Sequence, residues 1–267
     1  MTSPKRFFAL LLLLVIGNAY GQNNSRAAEY FKIAEDLKSK AKPDSAIIYY
    51  EKASEEFKST GNTEQFINSY NQIGILLTRQ DKYDKAKAYL DKALSTGLMS
   101  LDSNNLVIAT TYISLGVVYG ALENYDQSII YHNKALSIRI LKLGENNEDV
   151  ATSYGNIGNV YLRSKNYEKS LEAHLHAMKI REILFGTGSV DIIQSYSNLG
   201  AVYREKKDYT LSIDYFAKAL QNKIKQRGEG HKDLVRYYKN LSEVYYLANN
   251  KEQGDLCKNK ADEISKS

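Results

Sequence analysis

Apolar and small residues recur along this chain with a fixed long period. Gly74, Gly116, Gly158 and Gly200 stand 42 residues apart, and Ser242 takes the next place. Four residues before each stands a tyrosine (Tyr70, Tyr112, Tyr154, Tyr196, Tyr238), and one before each an aliphatic (Ile73, Leu115, Ile157, Leu199, Leu241). Three after each comes Leu77, Tyr119, Tyr161, Tyr203 or Tyr245. These offsets trace the i, i+3, i+4, i+7 face of an amphipathic helix. Polar breaks around Asp81, Asn124, Asn166 and Lys207 end that helix, and Tyr83, Tyr125, Tyr167 and Tyr209 open a second one. The second carries an alanine in every copy (Ala93, Ala135, Ala177, Ala219, Ala261) and, seven residues earlier, Ala86, Ser128, Ser170, Ser212 or Gly254. Small residues on both helices predict a close-packed helical hairpin, because a larger side chain at either place would overpack the contact. An earlier copy, offset by 40, holds Tyr30, Ile33, Ala34, Leu37, Ala46 and Ala53. Six hairpins are therefore expected, over 25–60, 63–98, 105–143, 147–185, 189–227 and 231–267.

The junctions repeat as well. Gly144, Gly186 and Gly228 are expected to end second helices in a left-handed cap, and Asp149, Asp191 and Asp233 to cap the first helices that follow. In the last hairpin Lys251 replaces tyrosine, and Lys258 stands where other copies have Leu, His or Phe. A polar outward face of this kind is expected of a terminal repeat.

With tyrosine where a large aromatic belongs in the first helix and small residues paired across the hairpin, the chain resembles the tetratricopeptide repeat family, in the 42-residue form of kinesin light chains and many bacterial scaffolds. HEAT and armadillo repeats have similar periods but lack this pairing. The resemblance implies an all-α fold: an α-solenoid, a right-handed superhelix of about six hairpins filling residues 25–267 as a single array. It implies a protein or peptide partner and a non-enzymatic scaffold.

Composition narrows the classes. Apolar residues make up 43% and charged residues 25%, so the chain can build a core. Its single cysteine, Cys257, closes off a disulfide framework and a cysteine zinc cluster. The net charge of +5 comes from interspersed signs without long like-charged blocks, which argues against nucleic acid as partner. Lys5 and Arg6 precede an apolar block from Phe7 to Ile16, followed by small residues to Gly21. This reads as a secretory signal over 1–21, too short to span a membrane. The expected product is exported, periplasmic or extracellular, soluble after cleavage, without a membrane span, and a monomer or weak homo-oligomer.

Candidate chemistry is sparse. Most of the 22 tyrosines fall in repeat slots, which reads as packing rather than ligand stacking. A polar stripe two residues before each small position, Gln72, Ser114, Asn156, Asn198 and Asn240, lies off the apolar face. Side-chain amides both donate and accept, so such a ladder can bond an extended peptide backbone, or else bond neighbouring helices or face water. The resemblance implies that this stripe lines the concave groove. Matching positions of the family's carboxylate clamp fall on Asn159, Asn198 and Arg236, but Gly155 and Asn240 stand where basic residues are needed, so the clamp is broken. Lys239 and Arg204 could make that half of the groove basic, opposed by Glu205 and Glu243. The expected groove set is thus Gln72, Asn156, Asn159, Asn198, Arg236, Lys239 and Asn240. His174 and His176 face apart on a helix, and His132 shares a slot with His174 without an acidic or cysteine partner, so packed or surface histidine is favoured over metal. Cys257 lacks a placed histidine, and no phosphate loop or serine elbow occurs. The reading is a scaffold without catalytic residues, metal or cofactor. Its alternative is a regulatory module working with a separately encoded signalling enzyme.

Overall fold

The computed structural model describes residues 25–266; the expected signal segment lies outside them. Among the described residues the chain is all-α and forms antiparallel helix pairs. The first helix, α1, covers 25–39, and α2 is Pro43–Ser59. Then follow α3 (Thr63–Arg79), α4 (Tyr83–Ser100), α5 (Leu106–Ala121), α6 (Tyr125–Leu143), α7 (Glu148–Arg163) and α8 (Tyr167–Phe185). The last four are α9 (Ile193–Glu205), α10 (Tyr209–Arg227), α11 (Val235–Leu247) and α12 (Lys251–Lys266), with short 3-10 turns at Val190–Ile192 and Lys232–Leu234 leading into α9 and α11. The backbone divides into two compact units, one up to Ile138 and one from Arg139. The core of the first gathers Ile67, Ile73, Leu90, Ile108 and Leu115; that of the second gathers Ile192, Phe216, Leu234, Leu241 and Val244.

Each hairpin turns through one residue of positive φ: Ala41, Asp81, Glu123, Lys165, Lys207 and Asn249, all between +53° and +62°. The residue after it then opens the second helix. Asn124, Asn166, Asp208 and Asn250 accept a backbone N–H three residues on, filling one of the helix's orphan donors.

The first-helix caps differ from the expectation. Asn147 Oδ1 accepts from the Asp149 N–H at 2.8 Å, Ser189 Oγ from Asp191, and His231 Nδ1 from Asp233 at 3.1 Å. The aspartates therefore sit two residues inside the cap, where their charge meets the positive end of the helix dipole. Gly186 and Gly228 have positive φ as expected, but their ψ of 160° is extended rather than left-handed helical, a region essentially reserved for glycine.

The close contact inside each hairpin is also more specific than small against small. Ser128, Ser170 and Ser212 donate their hydroxyls to the carbonyls of Gly116, Gly158 and Gly200 at 2.7, 2.8 and 2.7 Å. The bare glycine makes room for a large side chain of the second helix. A Cβ at Gly158 would stand 2.7 Å from His174, and one at Gly200 2.8 Å from Phe216.

The tyrosines pack as expected. Tyr119 stacks on Tyr131 at 5.4 Å and Tyr203 on Tyr215 at 5.5 Å. A lysine in the slot just before the conserved-offset alanine adds to this layer: Lys92, Lys134 and Lys218 lie 5.2–5.4 Å from the rings of Tyr70, Tyr112 and Tyr215. His176 takes the same slot in α8 and stacks on Tyr154 at 5.0 Å.

Basic residues toward the ends of second helices bond first helices, their own or the next. Arg181, buried, binds Glu148 through Nε and Nη2 at 3.0 and 2.8 Å and donates to Ser195 Oγ at 2.9 Å. Arg139 reaches Asp149 O and Ser153 Oγ, and Lys223 reaches Asp233 at 3.2 Å.

Candidate functional site

Within the second unit the polar stripe meets a pocket of about 280 Å³. The helical period brings Gln194, Ser197, Asn198, Ala201 and Arg204 onto one side of α9, and Arg236, Tyr237 and Asn240 onto the facing side of α11, with Phe216 of α10 as floor. Three of the expected groove residues, Asn198, Arg236 and Asn240, thus converge on one place. Asn156 and Asn159 lie on α7 outside its lining, half-buried and exposed respectively, and Lys239 is exposed on α11 outside it. Gln72 belongs to the first unit, where its Oε1 accepts from Lys38 Nζ at 3.0 Å. Ser114 is buried and bonds back to Thr110 O of its own helix.

No acidic residue lines the pocket, so its charge balance rests on two arginines. Arg204 is compensated: Nη1 meets Glu243 at 2.8 Å and Nη2 meets Glu205 at 3.0 Å, which realises the opposition expected for this half of the groove. Arg236 is exposed. Its guanidinium lies 4.6 Å from the Tyr237 ring centre and donates to Tyr237 Oη at 2.5 Å, which holds the flat cation at the pocket wall while leaving donors to spare. Gly155, in the slot of Ser197 and Lys239, leaves open space on α7, where an added Cβ would meet nothing within 4 Å. The clamp of the family is therefore missing a side chain there.

The amides are not equivalent. Asn198 Oδ1 accepts from Gln194 Nε2 at 2.7 Å, and its Nδ2 lies 3.4 Å from Nδ1 of His174 on α8. One N–H and one lone pair of Asn198 bond neighbouring side chains, and one of each remains. His174 is 1% exposed and His132 2%, each sealed against the glycine of its own hairpin. Burial depresses both imidazoles to about 4, helped at His174 by the nearby Arg181 charge. Both are packed neutral rings, in keeping with packed histidine. Among the described residues no group of three His, Cys, Asp or Glu could hold a metal ion. Cys257 is buried, which pushes its thiol up and away from the reactive thiolate.

Sequence reasoning found the pocket's amides and Arg236 but missed Gln194, Tyr237 and Phe216. It also missed the bond between His174 and Asn198, whose partners lie 24 residues apart in different repeats. The shared stripe offset was the only signal available for it.

With this geometry in view, two family models match: a tetratricopeptide repeat model over residues 107–183 and 191–253, and a second over 66–98. The chain belongs to the tetratricopeptide repeat family. A search of curated proteins returns no match. Several solved structures superpose on most of this chain. BtubC (BKLC) from P. vanneervenii is 19% identical over 92% of this chain and 91% of that one, with a TM-score of 0.67. Kinesin light chain-type TPR-like repeats from Podosopora anserina are 11% identical over 74% and 94%, with a TM-score of 0.66. The Pseudomonas aeruginosa pilF structure is 12% identical over 88% and 90%, with a TM-score of 0.61. At these identities the likeness is one of fold. The tetratricopeptide fold is in general a protein-interaction scaffold, typically non-catalytic, and no helix among the described residues is long and apolar enough to cross a membrane.

Proposed function

We propose that this tetratricopeptide protein is a non-catalytic scaffold that docks an extended segment of a partner protein along its first helices. The observation that carries this reading is the α9/α11 pocket, where Asn198, Asn240 and the uncompensated Arg236 converge without a lining carboxylate. Amides at helical spacing can bond main-chain N–H and C=O groups whatever the side chains, and the arginine adds selection for an acidic group. The protein is exported, following the signal read in residues 1–21, so the partner resides in the periplasm or outside the cell.

The test is to pan a random dodecapeptide phage library on the full chain and measure the winning peptide by calorimetry. Arg236→Ala should weaken it about tenfold, the scale of one charge-assisted pair. Asn156, Asn198 and Asn240 changed together to Ala should weaken it more, with helicity kept. Unchanged affinity in both variants would place binding on another face. N-terminal sequencing of exported chain starting at Gln22 supports the signal; retention of Met1 removes it.

A further inference from the structure

The slot that faces the hairpin glycine is filled by Leu90 in α4, His132 in α6, His174 in α8 and Phe216 in α10. Leucine and phenylalanine do the packing at this slot, so the fold does not need an imidazole there. At His174 the ring brings a liability: Nε2 is buried without a hydrogen-bond partner. It also brings one polar contact that an apolar ring lacks, Nδ1 against the side-chain amide of Asn198 at 3.4 Å. On the other side of that amide Gln194 Nε2 donates to Oδ1 at 2.7 Å.

We propose that His174 is a positioning residue for the docking surface: its Nδ1 and Gln194 Nε2 clamp the Asn198 amide from opposite ends, fixing which way its free N–H and free lone pair face an incoming main chain. An amide can turn over at little cost in water, and a ligand strand must then select one orientation; held from both sides, Asn198 is set before the ligand arrives. With Nδ1 as acceptor the imidazole is the neutral Nε2–H tautomer, which turns the Asn198 NH₂ toward α8 and the carbonyl toward Gln194. Phe216 cannot play this part for Asn240, so α11 offers an amide free to turn while α9 offers a fixed one. The ligand that fits is an extended main chain whose hydrogen-bonding register is read at Asn198, with an acidic side chain at Arg236 across the same pocket. This rests on the docking reading above.

The test uses the full chain and the panned dodecapeptide in a double-mutant cycle of His174→Phe, Asn198→Ala and the pair. His174→Phe copies the residue found at the equivalent slot of α10, so its melting temperature should equal or exceed that of wild type. Its affinity for the peptide should nevertheless fall three- to tenfold, Asn198→Ala should fall by at least as much, and the pair should be no weaker than Asn198→Ala alone. The side-chain amide proton signals of Asn198 in a ¹⁵N-labelled chain should collapse toward free-amide values in His174→Phe. If Asn198→Ala weakens binding while His174→Phe binds like wild type, or if the two losses multiply, the positioning role is overturned and the docking reading stands. If Asn198→Ala binds like wild type, or panning returns no peptide, both fall. A variant that melts lower is replaced by His174→Leu, the residue type of α4, and judged by the same cycle.

Discussion

The hairpins α7/α8 and α9/α10 are built on one plan and differ at its centre. In both, a serine hydroxyl of the second helix bonds the glycine carbonyl of the first, and a planar ring lies over that glycine. In α9/α10 the ring is Phe216; in α7/α8 it is His174, with a buried nitrogen that nothing satisfies. An orphaned buried polar atom costs about 1–3 kcal/mol. The contact takes Leu90 in α4 and Phe216 in α10 and so needs no polar atom, and the polarity of His174 has to be explained by what it touches outside the contact.

The sharpest way to break this comparison is to fill the glycine. Gly158→Leu and Gly200→Leu should each destabilise by about 3 kcal/mol, since the backbone contact to the ring has nowhere to move. Thermal unfolding of the two variants should show losses of similar size, and a Gly158→Leu protein melting like wild type would show that His174 is not seated against it. Acid comes next. His132 and His174 are neutral in the fold at about 4 and titrate near 6.5 when unfolded, so the unfolded chain takes up the protons. Stability should be flat above pH 6.5 and fall as pH drops toward 4, by about 1.4 kcal/mol per pH unit for each histidine at most. Urea midpoints between pH 7 and 5 should flatten in a His132→Phe, His174→Phe double variant; an unaltered slope would mean that these rings are not what titrates.

Smaller effects sharpen the two entrances. Asn147→Ala should cost about 1 kcal/mol at the start of α7, and Asp149→Ala only a few tenths from the dipole. The reverse order in chemical denaturation would restore the aspartate as the cap. Smallest are Ser170→Ala and Ser212→Ala, each about 0.5 kcal/mol, the net loss of one hydrogen bond; in α3/α4, where Ala86 takes the place of the serine, Thr78 Oγ1 donates to the Gly74 carbonyl instead, at 2.7 Å. A much larger loss in one of them would show that the two hairpins are not equivalent.

The helices were legible because one period places both a small residue and an aromatic in every copy, and packing permits few alternatives to that register. The caps were misread for a local reason: Asp149 and Asn147 are both good cap types, and only the backbone path shows that the amide reaches the open N–H. The lysines over tyrosine rings recur in one slot as well, but a charged residue beside an alanine carries no signal in the sequence that a ring lies next to it. At the pocket, the amide stripe could be read from offsets within a helix, and Arg236 from the clamp positions that the resemblance implies. Phe216 and His174 could not, because they approach from second helices whose rotation is fixed only once the glycine contact closes.

The final hairpin carries the glycine–serine pair in reverse: Ser242 of α11 donates to the carbonyl of Gly254 of α12 at 2.9 Å. Scored one column at a time, that repeat shows two departures from its neighbours; scored as a couple, it shows none. Selection acting on the couple leaves each helix free to carry the hydroxyl as long as the other stays bare. Two single changes connect the arrangements. The route through glycine on both sides keeps the approach and gives up one hydrogen bond, whereas serine on both sides puts a Cβ 2.7 Å from the Tyr246 ring, so a repeat of this kind can exchange the roles of its two helices without passing through an unfolded ancestor.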